Sequence, residues 1–337
     1  GLPVIACAIS KNIQLTAEQN NTGVFKLNMV DINQVRTIAI DEVFQVLEPR
    51  DYFASALRVL RRYGCIPTVG YDITVTGNIP INSGTSSSSA LLLGWINFLV
   101  TAFGVDEEIT PEFISKIGYL SEVVEHGEPG GMMDHYSIGV GNIVHIDTRE
   151  PFSFTIIGNE LGGLITGVSG VPKETIGLIG DLKGNALLAI GTIKENFPDF
   201  DLNKTVIEDL DKYLNYLPDR LIPFFEGAIK NHHYTKMALI EFQKPILDLK
   251  KIGELMNQHH AVLRDLLKIT VPRIDAMIDA ALKAGAYGAK IVGSGGGGSI
   301  VVMAEPGQES KVVKAILAAG AVDAYAVTVD PGARILN

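Results

Sequence analysis

The chain has 337 residues, 47% hydrophobic and 20% charged, with a formal net charge of −10 at pH 7. That length suffices for one large core or two fused lobes, and the acidic balance argues against nonspecific nucleic-acid binding. No uninterrupted apolar run reaches membrane-span length, no secretory signal is visible, and two cysteines, Cys7 and Cys65, point to a reducing, cytoplasmic setting without a disulfide framework.

Up to about residue 150 strand-like and helix-like runs alternate. Asn21-Thr22-Gly23 reads as a hairpin turn. The alternating run Tyr71-Asp72-Ile73-Thr74-Val75-Thr76 reads as a strand, and Ala90 to Val100 as a buried helix with Trp95 in the core. Between them lies the most informative segment, Gly77-Asn78-Ile79-Pro80-Ile81-Asn82-Ser83-Gly84-Thr85-Ser86-Ser87-Ser88-Ser89. A Gly/Ser-rich loop ending on a helix N-terminus offers free backbone N–H groups and the positive end of the helix dipole, which favour an anion. The four serines Ser86 to Ser89 add hydroxyls suited to phosphate oxygens or a magnesium ion. A flexible loop with a serine helix cap is the alternative. No Walker Gly-x-x-x-x-Gly-Lys-Ser/Thr and no early Gly-x-Gly-x-x-Gly occurs, which excludes a P-loop and leaves a dinucleotide fold little support.

Residues 106–128 read as a helix pair. From Pro111 to about Glu125 the apolar positions Phe113, Ile114, Ile117, Leu120, Val123 and Val124 have helical spacing. Glu122 lies beside this stripe near the C-terminal end, where a carboxylate opposes the dipole. A Gly-Glu-Pro-Gly-Gly turn ending at Gly131 follows, and Asp134 opens the next segment. Such a turn can fold one carboxylate toward another, an arrangement in which one could hold a metal and the other accept a proton. A solvated helix face is an equal reading of Glu122, and a helix N-cap of Asp134.

Strands return at Phe152–Gly158 and Leu161–Ser169, helical patterns dominate from Pro172 to Leu282, and Ile300–Met303 and Ala324–Asp330 are strands separated by a helix at Gln308–Ala319. Before Ile300 comes a second glycine cluster, five glycines among the six residues Gly293 to Gly298. It asks for backbone conformations open only to glycine or for close approach of another group. A plain strand connection competes with room for a nucleotide. The adjacent pairs His232/His233 and His259/His260 diverge by about 100° on a helix and make poor metal sites. Lys183 and Lys194 read as solvated, and Cys65 as inert.

Three pieces in this order, Pro80-x-x-x-Gly84-x-Ser-Ser-Ser, then Gly131-Met132-Met133-Asp134, then Gly288-Ala289-Lys290-x-x-Gly293-x-Gly295-x-Gly297-Gly298, resemble the superfamily of galactose, homoserine, mevalonate and phosphomevalonate (GHMP) kinases. Gly253 to Asp265 resembles the helix before that family's last glycine loop, and the likeness runs discontinuously from about Tyr63 to about Met303. It is greatest to the galactokinase branch: Gly131 to Ser137 and Gly141 to Arg149 look like its Gly-Ile-Met-Asp-Gln region and following strand, and the step of twelve residues from Glu122 to Asp134 fits its pattern. The mevalonate branch has a step one residue shorter. Gly167 to Thr175 looks more like that branch, in which a Ser-Gly and a downstream Thr line the acceptor site. Thr85 stands where the family has Leu, and Asn82 and Ser83 replace smaller residues.

The resemblance implies an α+β, two-lobed GHMP kinase fold: an N-terminal ribosomal-protein-S5-like, ATP-binding lobe over residues 1–150 and a ferredoxin-like C-terminal lobe over 151–337. It implies ATP-dependent transfer of a phosphoryl group to a small-molecule hydroxyl, C1 of galactose or a related sugar. Asp134 would be catalytic. Pro80, Gly84, Thr85, Ser86, Ser87, Ser88 and Ser89 would bind ATP, and Ser88 (or Ser87) with Glu122 would hold Mg2+. Gly131, Asp134, Gly295 and Gly296 would contact substrate. A sugar is the expected partner, with no nucleic acid or membrane. A mevalonate-type kinase, and a non-catalytic sugar or nucleotide sensor on the same fold, are the alternatives. The early galactokinase segment with Gly-Arg-x-Asn and Gly-Glu-His-x-Asp has no counterpart here, since Gly1 to Ile9 already looks like the strand after it; the expectation is a chain presented without that segment.

Overall fold

A computed structural model describes residues 2–81, 83–158, 160–172, 176–293 and 295–336. It divides into two compact units: an N-terminal one of Ala6–Ile81, Ser86–Val144 and Val329–Asn337, and a C-terminal one of Gly1–Ile5, Asn82–Thr85 and His145–Thr328.

Strand β1 (Val4–Cys7) is followed in the N-terminal unit by β2 (Ile13–Asn20), β3 (Val24–Met29), β4 (Gln34–Ala39), helix α1 (Tyr52–Arg61) and β5 (Gly70–Gly77). The sheet order is β2-β5-β3-β4. Asn21-Thr22-Gly23 therefore closes no hairpin. Strand β5 inserts between β2 and β3, antiparallel to the first and parallel to the second. The insertion buries Ile73 beside Phe25 and Leu27, apolar area that a two-stranded ribbon would leave wet.

Helix α2 (Ser87–Phe103) packs Leu92, Leu93, Trp95, Ile96 and Leu99 into the same core. Trp95 is fully buried, its Nε1–H donating to the Phe53 carbonyl at 3.2 Å and its ring meeting Phe25 edge-on at 5.2 Å. Helix α3 (Pro111–Tyr119), capped by Thr110, runs on through a π-helical turn at Leu120–Val124, so 111–124 is one rod rather than a helix pair. Helix α4 (Met133–Val140) lies close against α3: a Cβ on Gly139 would fall 2.1 Å from Ser115 Oγ. That close approach sets the distance between whatever α3 and α4 carry at their facing ends.

Strand β6 (Ile143–Asp147), with β1 and β7 (Ser153–Gly158), forms a three-stranded sheet of order β1-β6-β7. The C-terminal unit continues with β8 (Leu164–Val168), α5 (Ile176–Asn196), α6 (Leu210–Leu214), α7 (Ile222–Phe242), α8 (Leu249–Ala261), α9 (Pro272–Lys283), β9 (Gly288–Ile291), β10 (Ser299–Met303), α10 (Glu309–Ala318) and β11 (Asp323–Ala326). Its antiparallel sheet has the order β11-β8-β10-β9. Gly167 on β8 faces Ile316 of α10 and Met277 of α9, with no room for a side chain. A separate cluster of Ile193, Phe200, Tyr213, Phe225 and Ile229 packs α5, α6 and α7 together. No helix among the described residues is long and apolar enough to cross a membrane.

Candidate active site

The serine segment leaves β5 through half-buried Pro80 and buried Ser83, whose hydroxyl lies 2.7 Å from Thr85 Oγ1. Gly84 at φ +78° and Ser86 at φ +57° then turn the chain into α2. Both angles lie in the left-handed region, ordinary for glycine and costly for serine. Ser86 occupies the N-cap position, yet its side chain makes no cap bond. The first-turn N–H groups of α2 thus lack the side-chain cap that a plain Ser cap supplies. Ser87 opens the helix, Ser88 is exposed, and Ser89 is 2% exposed.

Ser88 and Ser89 converge on Glu122, which the π-helical turn brings to 8% exposure. The Ser88 hydroxyl donates to Glu122 Oε1 at 2.9 Å and the Ser89 hydroxyl to Oε2 at 2.7 Å. His135, buried in α4, approaches Oε2 with its Nε2 at 2.8 Å. An ionised carboxylate only accepts, so Nε2 carries the hydrogen. Burial pushes the Glu122 carboxyl up, but the His135 contact, with Ser89 and Ser88, outweighs it and holds the group below its ordinary value. Glu122 is therefore a buried, ionised carboxylate with one oxygen anchored from the protein interior and the other shared with an exposed hydroxyl, not a solvated helix face. Sequence reasoning missed His135. Its neighbour Asp134 drew the attention, and the only signal was a histidine one helical step beyond it. Ser89 also differs from expectation: its hydroxyl holds Glu122 and is not open to phosphate.

Asp134 sits in the first turn of α4, whose N-cap position belongs to Met132. It is half-buried, and its carboxylate makes no hydrogen bond or ion pair among the described residues. The N-cap alternative is not what the geometry shows. Gly131 is exposed with open space around it.

Beside this cluster the N-terminal unit contains a cavity of about 650 Å³ lined by Val35, Arg36, Arg50, Tyr52, Ser88 and Leu91, among others. Arg36 pairs with Asp51 and lies 5.6 Å from the centre of the Phe53 ring. Burial and the neighbouring Glu122 and Glu128 push the Tyr52 phenol well up, so it stays a neutral donor. The cavity gathers residues from β3, β4, α1 and α2, and no stretch of sequence announced it.

The glycine loop of the C-terminal unit is held differently. Gly293, Gly295, Gly296, Gly297 and Gly298 all have positive φ. The N–H of Gly296 donates to the Ile269 carbonyl at 2.8 Å and that of Gly298 to the Val171 carbonyl at 2.9 Å. Ser169, 1% exposed, donates its hydroxyl to the Gly298 carbonyl at 2.6 Å, and Ser299 donates to the Ser83 carbonyl at 2.6 Å. The hydroxyl of Ser169 is thus engaged by the loop rather than turned to an acceptor. Ser294 and Thr175 lie outside the described residues.

No group of three or more His, Cys, Asp or Glu side chains among the described residues is placed to hold a metal. Magnesium does not require one, since it binds through one or two carboxylates together with phosphates and water. Glu122 Oε1 and the exposed Ser88 hydroxyl fit that pattern, with His135 and Ser89 orienting the ligand from behind.

Known proteins resemble this chain over most of its length. The family model of the GHMP kinases N terminal domain matches residues 51–142, and that of the GHMP kinases C terminal matches 238–322. The mevalonate kinase of Thermococcus gammatolerans is 26% identical over 331 residues, 95% of this chain and 88% of that protein. The galactokinase of Streptomyces coelicolor is 28% identical over 289 residues, 79% of this chain and 68% of that protein. The crystal structure of Lactococcus lactis galactokinase with galactose superposes with a TM-score of 0.83 at 21% identity, over 98% of this chain and 89% of that one. Both halves of one family's signature occur in order on a chain with that family's fold, and the chain accordingly belongs to the GHMP kinases.

Proposed function

We propose that the chain transfers the γ-phosphoryl group of ATP to a hydroxyl of a sugar, the anomeric one. One observation carries the nucleotide part: the Ser88 hydroxyl both lines the 650 Å³ cavity and donates to Glu122. The cavity is of ligand size. Its apolar wall at Leu91 and Val35 suits a base, and the uncapped start of α2 beside it suits the phosphates. Ser86 and Ser87, with the turn through Pro80, Gly84 and Thr85, would line the phosphate path. Magnesium, held by Ser88 and Glu122, would neutralise charge on the β- and γ-phosphates. Asp134, whose carboxylate has no partner among the described residues, would orient the acceptor hydroxyl and take its proton, and Gly131 would leave it room. Gly295 and Gly296 would offer a shaped backbone surface to substrate, without a donor role for the Gly296 N–H. The protein's task is positioning and charge stabilisation, because phosphoryl transfer passes through a loose transition state.

The sugar assignment is supported by the step of twelve residues from Glu122 to Asp134 and by the likeness to the galactokinase fold. A mevalonate-type acceptor is the second reading, supported by relatives of that name matching 95% of the chain. ADP release measured with galactose, other hexoses and mevalonate discriminates them. The expected result is sugar-dependent ADP release with a sugar 1-phosphate as product. Turnover with mevalonate alone would overturn the sugar, and failure to bind or turn over ATP with any acceptor would overturn the kinase reading.

A further inference from the structure

Strand β9 is the outer strand of its sheet, and an outer strand presents unpaired N–H and C=O groups. Here side chains cover that row. Gly253, Asn257 and His260 lie four and three residues apart on α8 and so share one helix face. Gly253 brings the two backbones together: a Cβ on Gly288 would fall 2.0 Å from the Gly253 carbonyl oxygen. One turn on, Asn257 clasps the strand. Its Oδ1 accepts from the Ala289 N–H at 2.9 Å and its Nδ2 donates to the Tyr287 carbonyl at 3.1 Å. At the next position His260 Nδ1 accepts from the Ile291 N–H at 3.5 Å, and the Lys290 ammonium takes the Ile291 carbonyl at 2.8 Å.

His260 is 3% exposed. Since Nδ1 accepts, its hydrogen is on Nε2, which faces Asp275 Oδ1 of α9 at 3.7 Å. Thr270 steadies the other Asp275 oxygen at 3.2 Å. Ile291 is two residues before Gly293, where the glycine loop begins. The same arm holds the loop further on: Ile269 is tied back to the Leu263 carbonyl at 3.0 Å while its own carbonyl receives the Gly296 N–H.

We infer that Asn257 and His260 are positioning residues for the glycine loop. They take the place of a fifth strand at the β9 edge and set the direction in which the chain enters Gly293–Gly298. The catalytic consequence rests on the kinase function proposed above; the structural one does not.

The test uses the full chain with His260→Leu, which removes the acceptor at similar bulk, and His260→Asn, whose Oδ1 returns an acceptor near the Nδ1 position. Amide hydrogen exchange of peptides covering 287–298 is compared with the rest of the protein, alongside kcat and both KM values. The expected result is exchange about tenfold faster over 289–298 in the Leu variant, on the scale of one lost buried hydrogen bond. A similar fall in kcat should accompany it with acceptor KM unchanged, and the Asn variant should recover both. Unchanged exchange in this segment, a rise shared equally by the whole protein, full kcat despite faster local exchange, or an Asn variant as impaired as Leu would each overturn the inference. If His260→Leu does not fold, Asn257→Asp, which loses the donor to Tyr287 but keeps the acceptor for Ala289, is read the same way. A wild-type protein inert toward ATP would remove the kinase reading while the exchange result still decides this one.

Discussion

The serine segment and the glycine loop look alike as strings of small residues before an apolar run, yet they use their hydrogen-bonding groups in opposite ways. The serine segment ends on a helix whose first turn has no side-chain cap, and its Ser88, which lines a cavity, donates to the Glu122 carboxylate. The glycine loop returns the N–H groups of Gly296 and Gly298 to protein carbonyls at Ile269 and Val171. One region leaves the start of its helix without a side-chain cap; the other turns its N–H groups inward to hold its own shape. Abundant glycine is therefore no measure of anion binding, because what counts is where the N–H vectors end.

The comparison can be broken most severely at Asp134, whose carboxylate has no hydrogen bond or ion pair among the described residues. Asp134→Asn should cost roughly two orders of magnitude or more in kcat with ATP affinity and folding retained, since it removes a proton acceptor and no structural bond. Steady-state kinetics with a binding isotherm decide it, and near wild-type turnover would return Asp134 to a passive role.

The glycine loop should answer the opposite way. A Cβ on Gly297, at φ +132°, would meet the Pro172 and Val171 carbonyl oxygens at 2.7 and 2.8 Å. Gly297→Ala should lower stability by about 2 kcal/mol, readable as a shifted denaturant midpoint. An unshifted midpoint would mean the loop is not held as described.

Smaller again is the joint change of Ser87 and Ser88 to Ala, expected to weaken magnesium-ATP binding or turnover about tenfold by removing charge-assisted hydrogen bonds. A folded double variant with unchanged nucleotide affinity and rate would separate the serines from the phosphates.

The smallest effect concerns acid stability. Glu122 ordinarily titrates at 4.5 and is depressed in the fold, where burial is opposed chiefly by His135. A depressed carboxyl contributes stability in full above its unfolded value and loses it as pH falls through the folded one. His135→Ala removes the main opposing contact, so the acid limb of unfolding should begin at higher pH than in the wild type. Superimposable acid unfolding curves would show that His135 does not hold this carboxylate.

Much of the candidate site was legible because its parts are local. Gly84 through Ser89 and the run from Gly131 to Asp134 announce themselves by composition, and a helical stripe placed Glu122 at a helix end. Other parts failed for identifiable reasons. Asn21-Thr22-Gly23 has hairpin chemistry, but turn preference is worth less than burying Ile73 and Val75 between β2 and β3. His135 had no signal beyond its place next to Asp134, because its role depends on two glycine-close helices bringing it to Glu122. The cavity draws on four elements and has no linear signature.

Sequence alone determined the periodic elements, the buried faces of α2 and α3, and the family, because each is written in residues near one another along the chain. Tertiary structure alone decided which donors remain open, which serine holds a carboxylate from behind, and how Asn257 and His260 close the edge of β9. Those outcomes depend on the direction of single N–H and O–H groups across long sequence separations, and direction is settled only when the elements pack.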